Sequence, residues 1–340
     1  MKVTRKQERL IQRVLQGWQD EGALDARQRE HLQNHLSVRL FDWQRLSRYA
    51  FWISLACIII ALGSFFADEY LMALLFNIGY FPRALVLFII AAAFYFHGFR
   101  RHKHSPDKNY SSEAILFLGV VFTAAGIWQL GLGLDNGSGR VGPLFLLGCA
   151  IYAFVGYKYR SALIWSFFLL ALGGYFGTET GYASGWGAYW LGMNYPVRFV
   201  LFGGVLLAAC YLLQRPLWQR NLFNASKAMG LLYLFIALWI LSIFGNYDLD
   251  IWQSVRQMEL LHWSLLFALA AIACLWISLK KDDAMLRGFG ITFLGINLYT
   301  RYFEMFWDST NKVIFFLILG VSLALVGRYA EKIWRYGERR

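Results

Sequence analysis

The chain has 340 residues, is 58% hydrophobic and only 16% charged, and carries a formal net charge of +12. That apolar balance, with a mean hydropathy of +0.43, excludes an ordinary soluble domain. The net positive charge suggests nucleic acid until its distribution along the chain is followed, which assigns it to membrane topology instead.

Residues 1–46 are hydrophilic and form a piece of their own. Leu10, Val14 and Trp18 recur at i, i+4 and i+8, with Ile11 and Leu15 beside them, which predicts one helical face. Gly22 can end that helix. Asp25 can cap the next, with Gln28 three residues on as a capping box, and the chain then reads as helix toward the first span. A cytoplasmic helical hairpin is expected, either packed on the membrane domain or docking a protein partner.

From Ser47 onward, ten apolar stretches follow. A bilayer span needs about 20 mostly apolar residues at about 1.5 Å rise each. The stretches are 47–66, 82–99, 112–131, 141–157, 161–177, 196–213, 226–245, 259–279, 285–303 and 312–330. The fold class is therefore all-α and polytopic: a transmembrane domain over 47–330 and a basic tail over 331–340. The first apolar run is too long for the apolar region of a cleavable signal peptide. With the N-terminus in the cytoplasm, the outer side holds only Arg83, Arg140, Arg198, Arg256, Arg301 and Lys312. The other 27 of the 33 Lys and Arg fall inside. This asymmetry predicts cytoplasmic N- and C-termini. It also accounts for the basic balance through contact with anionic lipid.

Within the spans, "ALGSFF" (61–66) echoes "ALGGYF" (171–176), and "YFPRALVLF" (80–88) echoes "YPVRFVLF" (195–202). A basic residue opens every helix entering from outside: Arg83, Arg140, Arg198, Arg256 and Lys312. A tandem parallel repeat of helical hairpins would produce this spacing. Cys57, Cys149, Cys210 and Cys274 lie inside apolar helices, with no C-x-x-C pair. They read as small buried hydrophobes.

The unusual residues gather on the outer side. A basic residue at a helix N-terminus opposes the helix dipole, so Arg83, Arg140, Arg198 and Arg256 call for compensation. A bound phosphate or carboxylate would supply it. So would nearby acids, namely Asp68, Glu69, Asp135, Glu179, Asp248, Asp250, Glu259, Glu304 and Asp308. The segment 177–196 is the longest outer loop. It sets Tyr182, Trp186, Tyr189, Trp190 and Tyr195 among glycines, which suits a sugar or headgroup, or simple interfacial anchoring. Glu259 and His262 form an E-x-x-H on one helical face. Di-iron bundles need two such motifs, and one copy is present, so no metal is expected. His97, His102 and His104 read as solvated. Asn297, Thr300, Arg301 and Glu304 recur at i, i+3, i+4 and i+7. That shared face is expected to point into the protein or an aqueous cavity rather than into lipid. No HExxH, P-loop, GxSxG or dinucleotide-binding string has a supporting context.

The segment "LQGWQDEGALDARQREHL" (15–32), with Gly22, Leu24 and Gln28, resembles the N-terminal part of the DUF2157 family of bacterial membrane proteins. "GIWQLGLG" (126–133) and "FFLILGVSLALVGRYAEKIWR" (315–335) also look like that family's membrane segments. The resemblance implies a bacterial inner-membrane protein with an N-terminal cytoplasmic region. It transfers no activity and no catalytic residue.

The leading functional expectation is binding or movement of a small or lipid-linked anionic solute at the outer face. A membrane enzyme on a lipid- or glycan-linked substrate is the alternative, with Glu259, His262 or Glu304 as acid or base. A structural or regulatory subunit docking a partner through the hairpin is the third. Membrane lipids are expected partners, nucleic acid is not, and no cofactor is implied.

Overall fold

In the computed structural model the described residues are 2–22, part of 24–39, positions 53, 57, 60 and 64, and 79–335 apart from 105–108, 136 and 308. Among the described residues the elements are helices, with one pair of three-residue strands. The elements are β1 (Lys2–Thr4), α1 (Arg5–Asp20), β2 (Ser37–Arg39), α2 (Tyr80–His104), α3 (Asn109–Leu134), α4 (Gly142–Tyr159), α5 (Ala162–Ala183) and α6 (Tyr195–Leu212). After them come α7 (Gln214–Gln219), α8 (Phe223–Phe244), α9 (Leu249–Trp252), a 3-10 turn (Gln257–Leu260), α10 (Leu261–Lys281), α11 (Ala284–Phe306) and α12 (Lys312–Arg335). The chain divides into two compact units, residues 1–78 with 97–115 and residues 79–96 with 116–340.

In the first unit, α1 covers the predicted amphipathic stretch. Leu15 is the buried residue of its face, while Val14 and Trp18 are exposed. Gly22 adopts φ +72°, and Leu24 N donates to Trp18 O at 3.2 Å, so the helix stops where a left-handed residue was expected. Half of the capping box is present: Asp25 N donates to Gln28 Oε1 at 3.1 Å. The second helix is not continuous. β2 lies inside it and pairs in parallel with β1. The first predicted span, 47–66, falls almost wholly outside the described residues, as do Asp68, Glu69 and Asp308.

Nine predicted spans coincide with helices α2 to α6, α8 and α10 to α12. Among the described residues six helices are long and apolar enough to cross a membrane: Tyr80–Arg101, Ser112–Leu134, Ala162–Ala183, Tyr195–Leu212, Phe223–Phe244 and Gln257–Lys281. The caps are those that sequence favours. Ser161 Oγ accepts from Ile164 N at 3.3 Å to start α5. Asn194 Oδ1 accepts from Val197 N at 3.3 Å to start α6, and Pro143 and Pro196 sit in first turns where a missing N–H costs nothing. The outward surface is apolar. Along α10, Leu265, Leu269, Ile272, Trp276 and Leu279 form one exposed stripe, a surface that water does not solvate well.

In the second unit, the helices that open beside Arg83, Arg140, Arg198 and Arg256 each pack on the next long helix. In the α2–α3 hairpin, aromatic rings fill glycine notches at heptad intervals. Tyr95 meets Gly119, Phe88 meets Gly126 and Phe81 meets Gly133, so that a Cβ at Gly119 would lie 2.5 Å from the Tyr95 ring. A seven-residue repeat keeps one helix face toward its partner, and small residues let helices approach closely where lipid gives no hydrophobic drive. The pairs α4–α5, α6–α8 and α10–α11 are the closest-packed neighbours in the rest of the unit. Gly203 lies against the Leu234 backbone, where a Cβ would sit 2.5 Å from the amide nitrogen.

α8 is the central helix. Half of its apolar window is buried, against 17–28% for the other five, and it contacts α5, α6, α10 and α11. Leu231, Phe235 and Leu238 of α8 pack with Phe267, Ala271, Leu286 and Phe293 as one core. A second core joins α2 to α5 through Tyr95, Val120, Tyr152 and Ile164. Cys149 and Cys210 are buried as expected, Cys274 is half-buried, and Cys57 is exposed.

Candidate functional site

The helices of the second unit alternate in direction, so segments 135–141, 184–194, 245–260 and 307–311 belong to the helix ends predicted to face outward. The aromatic loop is shorter than expected there, because α5 continues to Ala183 and leaves 184–194 as connection. That connection is tied down from both sides. Asn194 Nδ2 donates to Gly245 O at 2.7 Å, Asn246 Nδ2 to Gly192 O at 2.9 Å, and Tyr189 OH to Asn246 O at 3.3 Å. Trp190 and Met193 exchange backbone hydrogen bonds.

Beneath it lies Arg198, in the first turn of α6 and 0% exposed. Nε donates to Met193 O at 2.9 Å and Nη2 to Ala188 O at 3.1 Å. The guanidinium carbon is 4.5 Å from the centroid of the Tyr195 ring. Nη1 is buried with no hydrogen-bond partner, and among the described residues no carboxylate forms an ion pair with Arg198. A buried cation held only by carbonyl dipoles and a ring face keeps its net charge in a place of low dielectric, where an anion would be strongly attracted.

The other candidate arginines have different surroundings. Arg83 is buried near the Tyr80 ring, at 5.1 Å. Arg140 forms a two-point contact with Glu179, Nε to Oε1 at 3.2 Å and Nη2 to Oε2 at 3.1 Å, and lies over the Tyr182 ring. Glu179 beside it favours the charged guanidinium, so its pKa is raised. Arg256 is exposed, as is Lys312, which donates to Trp307 O. Glu179 therefore neutralises Arg140, whereas Arg198 is held by carbonyls that leave Nη1 unpartnered.

Glu259 and His262 are both exposed. The Glu259 side chain makes no hydrogen bond, and the His262 ring rests against Trp263 at 4.8 Å. The E-x-x-H gathers no further acid, and no group of three or more metal-ligating residues exists among the described residues.

The polar face of α11 is divided by packing. Asn297 is buried between helices: Ser264 Oγ donates to its Oδ1 at 2.7 Å and its Nδ2 donates to Ser264 O at 2.9 Å. Arg301 and Glu304 form an ion pair at 2.5 Å, side chains 15% and 20% exposed. Arg301 Nη2 also donates to Ser242 O of α8 at 2.8 Å. Thr300 accepts from Trp239 Nε1 at 3.0 Å. Thr300 and Glu304 line a groove of about 600 Å³ between α8 and α11. Asn297 thus serves the α10–α11 joint, and Thr300 and Glu304 face the groove.

At the opposite helix ends the structure places a group that sequence reading passed over. Lys227, within the predicted span 226–245, belongs to α8 and is 4% exposed. Its Nζ meets Asp283 Oδ2 at 2.5 Å. Asp283 Oδ1 also caps α11, accepting from Met285 N at 3.0 Å and Leu286 N at 3.2 Å. Burial pushes the Asp283 carboxyl up, but Lys227 and the two amides outweigh it and hold it below the usual range. The signal available in sequence was a lone Lys inside "NASKAMGLL", a charge that an apolar helix carries only with a partner.

No protein-family profile matches the chain, and neither a curated protein nor a solved structure is similar to it.

Proposed function

We propose that the protein is a ten-span membrane protein with both termini in the cytoplasm, and that it binds or moves a small or lipid-linked anionic solute at its outer face. Arg198 carries this reading: it is a fully buried guanidinium with one unpartnered nitrogen and no acidic counter-ion among the described residues. An anionic head reaching Nη1 would supply that counter-charge through a charge-assisted hydrogen bond. Access requires the 184–194 connection to move, so binding and loop opening are coupled. Glu259 and His262, exposed and without further partners, give the enzyme alternative no support from geometry. Kinship with DUF2157 remains part of this proposal, on the short matches at Gly22, Leu24 and Gln28.

The binding test is thermal unfolding of purified protein in detergent with dioctanoyl phosphatidic acid or dioctanoyl glycerol, which differ by one phosphate. Phosphatidic acid is expected to raise Tm by linkage, the diacylglycerol much less. Arg198→Lys is expected to keep part of the effect and Arg198→Gln to lose it. Equal shifts from the two lipids, or an undiminished shift in Arg198→Gln, overturn the anion site. For topology, single cysteines in a background lacking the native four are treated with an impermeant thiol reagent in intact cells. Gln253→Cys and Gln257→Cys are expected to label from outside, Arg220→Cys and Lys280→Cys only after lysis. The reverse pattern refutes the orientation.

A further inference from the structure

The α8–α11 groove is polar at one end only. Glu304 and Thr300 lie at the end where α11 finishes, beside Trp239 and Ile243 of α8, and Gly295 and Ile296 lie lower on α11. From Gly295 to Glu304 the helix rises about 14 Å at about 1.5 Å per residue, enough for a good part of an alkyl chain. Gly295 leaves open space, since a Cβ added there meets nothing within 4 Å. The polar end is rich in acceptors. A carboxylate has about four lone-pair sites; Arg301 Nη2 donates to Glu304 Oε1, while Oε2 is buried beside Nη1 with no hydrogen-bond partner. Thr300 Oγ1 already accepts from Trp239. A ligand matching this groove has an alkyl chain and a head that donates hydrogen bonds.

We infer that the groove binds one membrane phospholipid with a primary-ammonium head, its chain along Gly295 and Ile296 and its ammonium on Glu304. This rests on the membrane-spanning part of the reading above and is independent of the Arg198 site. A primary ammonium offers three N–H donors and a quaternary one offers none, so recognition by Glu304 separates the two. Native mass spectrometry of delipidated protein with equimolar dioleoyl phosphatidylethanolamine and phosphatidylcholine tests it. One phosphatidylethanolamine is expected to bind in at least about fivefold preference. Gly295→Leu, which fills open space, is expected to abolish that binding at unchanged Tm. Glu304→Gln is expected to keep binding but lose the preference. Arg198→Gln is expected to leave it intact, which keeps failure of this site distinct from failure of the anion site. Equal occupancy by both lipids, or undiminished phosphatidylethanolamine binding in Gly295→Leu, overturns the inference.

Discussion

Where α8 and α11 begin, Lys227 is buried against a carboxylate that also caps a helix. Where α6 begins, Arg198 is buried more completely and has only carbonyls and a ring. Both cations are costly to desolvate, yet they are compensated in opposite ways. The Lys227–Asp283 pair is closed: charge, hydrogen bonds and cap are matched within the protein, so it locks α8 to α11. Arg198 is open: its donors organise the 184–194 connection while its charge stays uncancelled. A closed pair holds structure, and an open charge leaves electrostatic attraction for something else.

The largest expected effect is at the closed end. Asp283→Ala removes a counter-ion and a cap together, and stranding a buried charge costs about 3–5 kcal/mol. Thermal unfolding in detergent is expected to show that loss, whereas Lys227→Met with Asp283→Asn, which keeps a capping side chain, is expected to recover most of it. If the double variant is as unstable as Asp283→Ala, the closed-pair description is wrong.

Arg198→Ala is expected to cost less, about 1.5–3 kcal/mol for each hydrogen bond of a charged group, partly regained by water. Its signature is local. Hydrogen exchange should accelerate in 184–194 and leave 223–230 unchanged. Uniform acceleration across the protein would erase the contrast between the ends.

Acid separates the ends further. The folded Asp283 pKa is lowered, so its contribution is present above the ordinary value of about 3.9. It is lost as pH falls through the lower folded value. Stability should fall on that acid limb, and Asp283→Asn should flatten it. Arg198 keeps its charge throughout this range, so its hold on the 184–194 connection is not expected to change.

The smallest effect belongs to Arg140 and Glu179. This ion pair is half exposed on the arginine side, 52%, and such pairs contribute about 0–1 kcal/mol. A double-mutant cycle with Arg140→Ala and Glu179→Ala should give a coupling in that range, and a larger one would make Arg140 as structural as Lys227.

Much of the scaffold could be read from local pattern. Apolar runs of bilayer length placed nine helices within a few residues, because span length is set by the bilayer. The turn at Gly22 and the Gln28 cap rest on local backbone geometry. The basic residues opening alternate helices marked hairpins that do pack pairwise. The polar face at Asn297, Thr300, Arg301 and Glu304 was visible as a helical period.

Partner choice was not visible. Period alone could not say that Asn297 turns to Ser264 while Thr300 and Glu304 open on a groove, since that depends on which helices flank α11. Four similar arginines gave one pattern in sequence. Tertiary structure gave Arg140 an acid, left Arg256 exposed and buried Arg198 beneath a loop. Lys227 and Asp283 lie 56 residues apart, and only the packing of α8 on α11 joins them. Local periodicity and the bilayer length are short-range constraints written in one dimension. Whether a buried charge finds a counter-ion is a long-range property of packing, and it is what distinguishes the two ends of this protein.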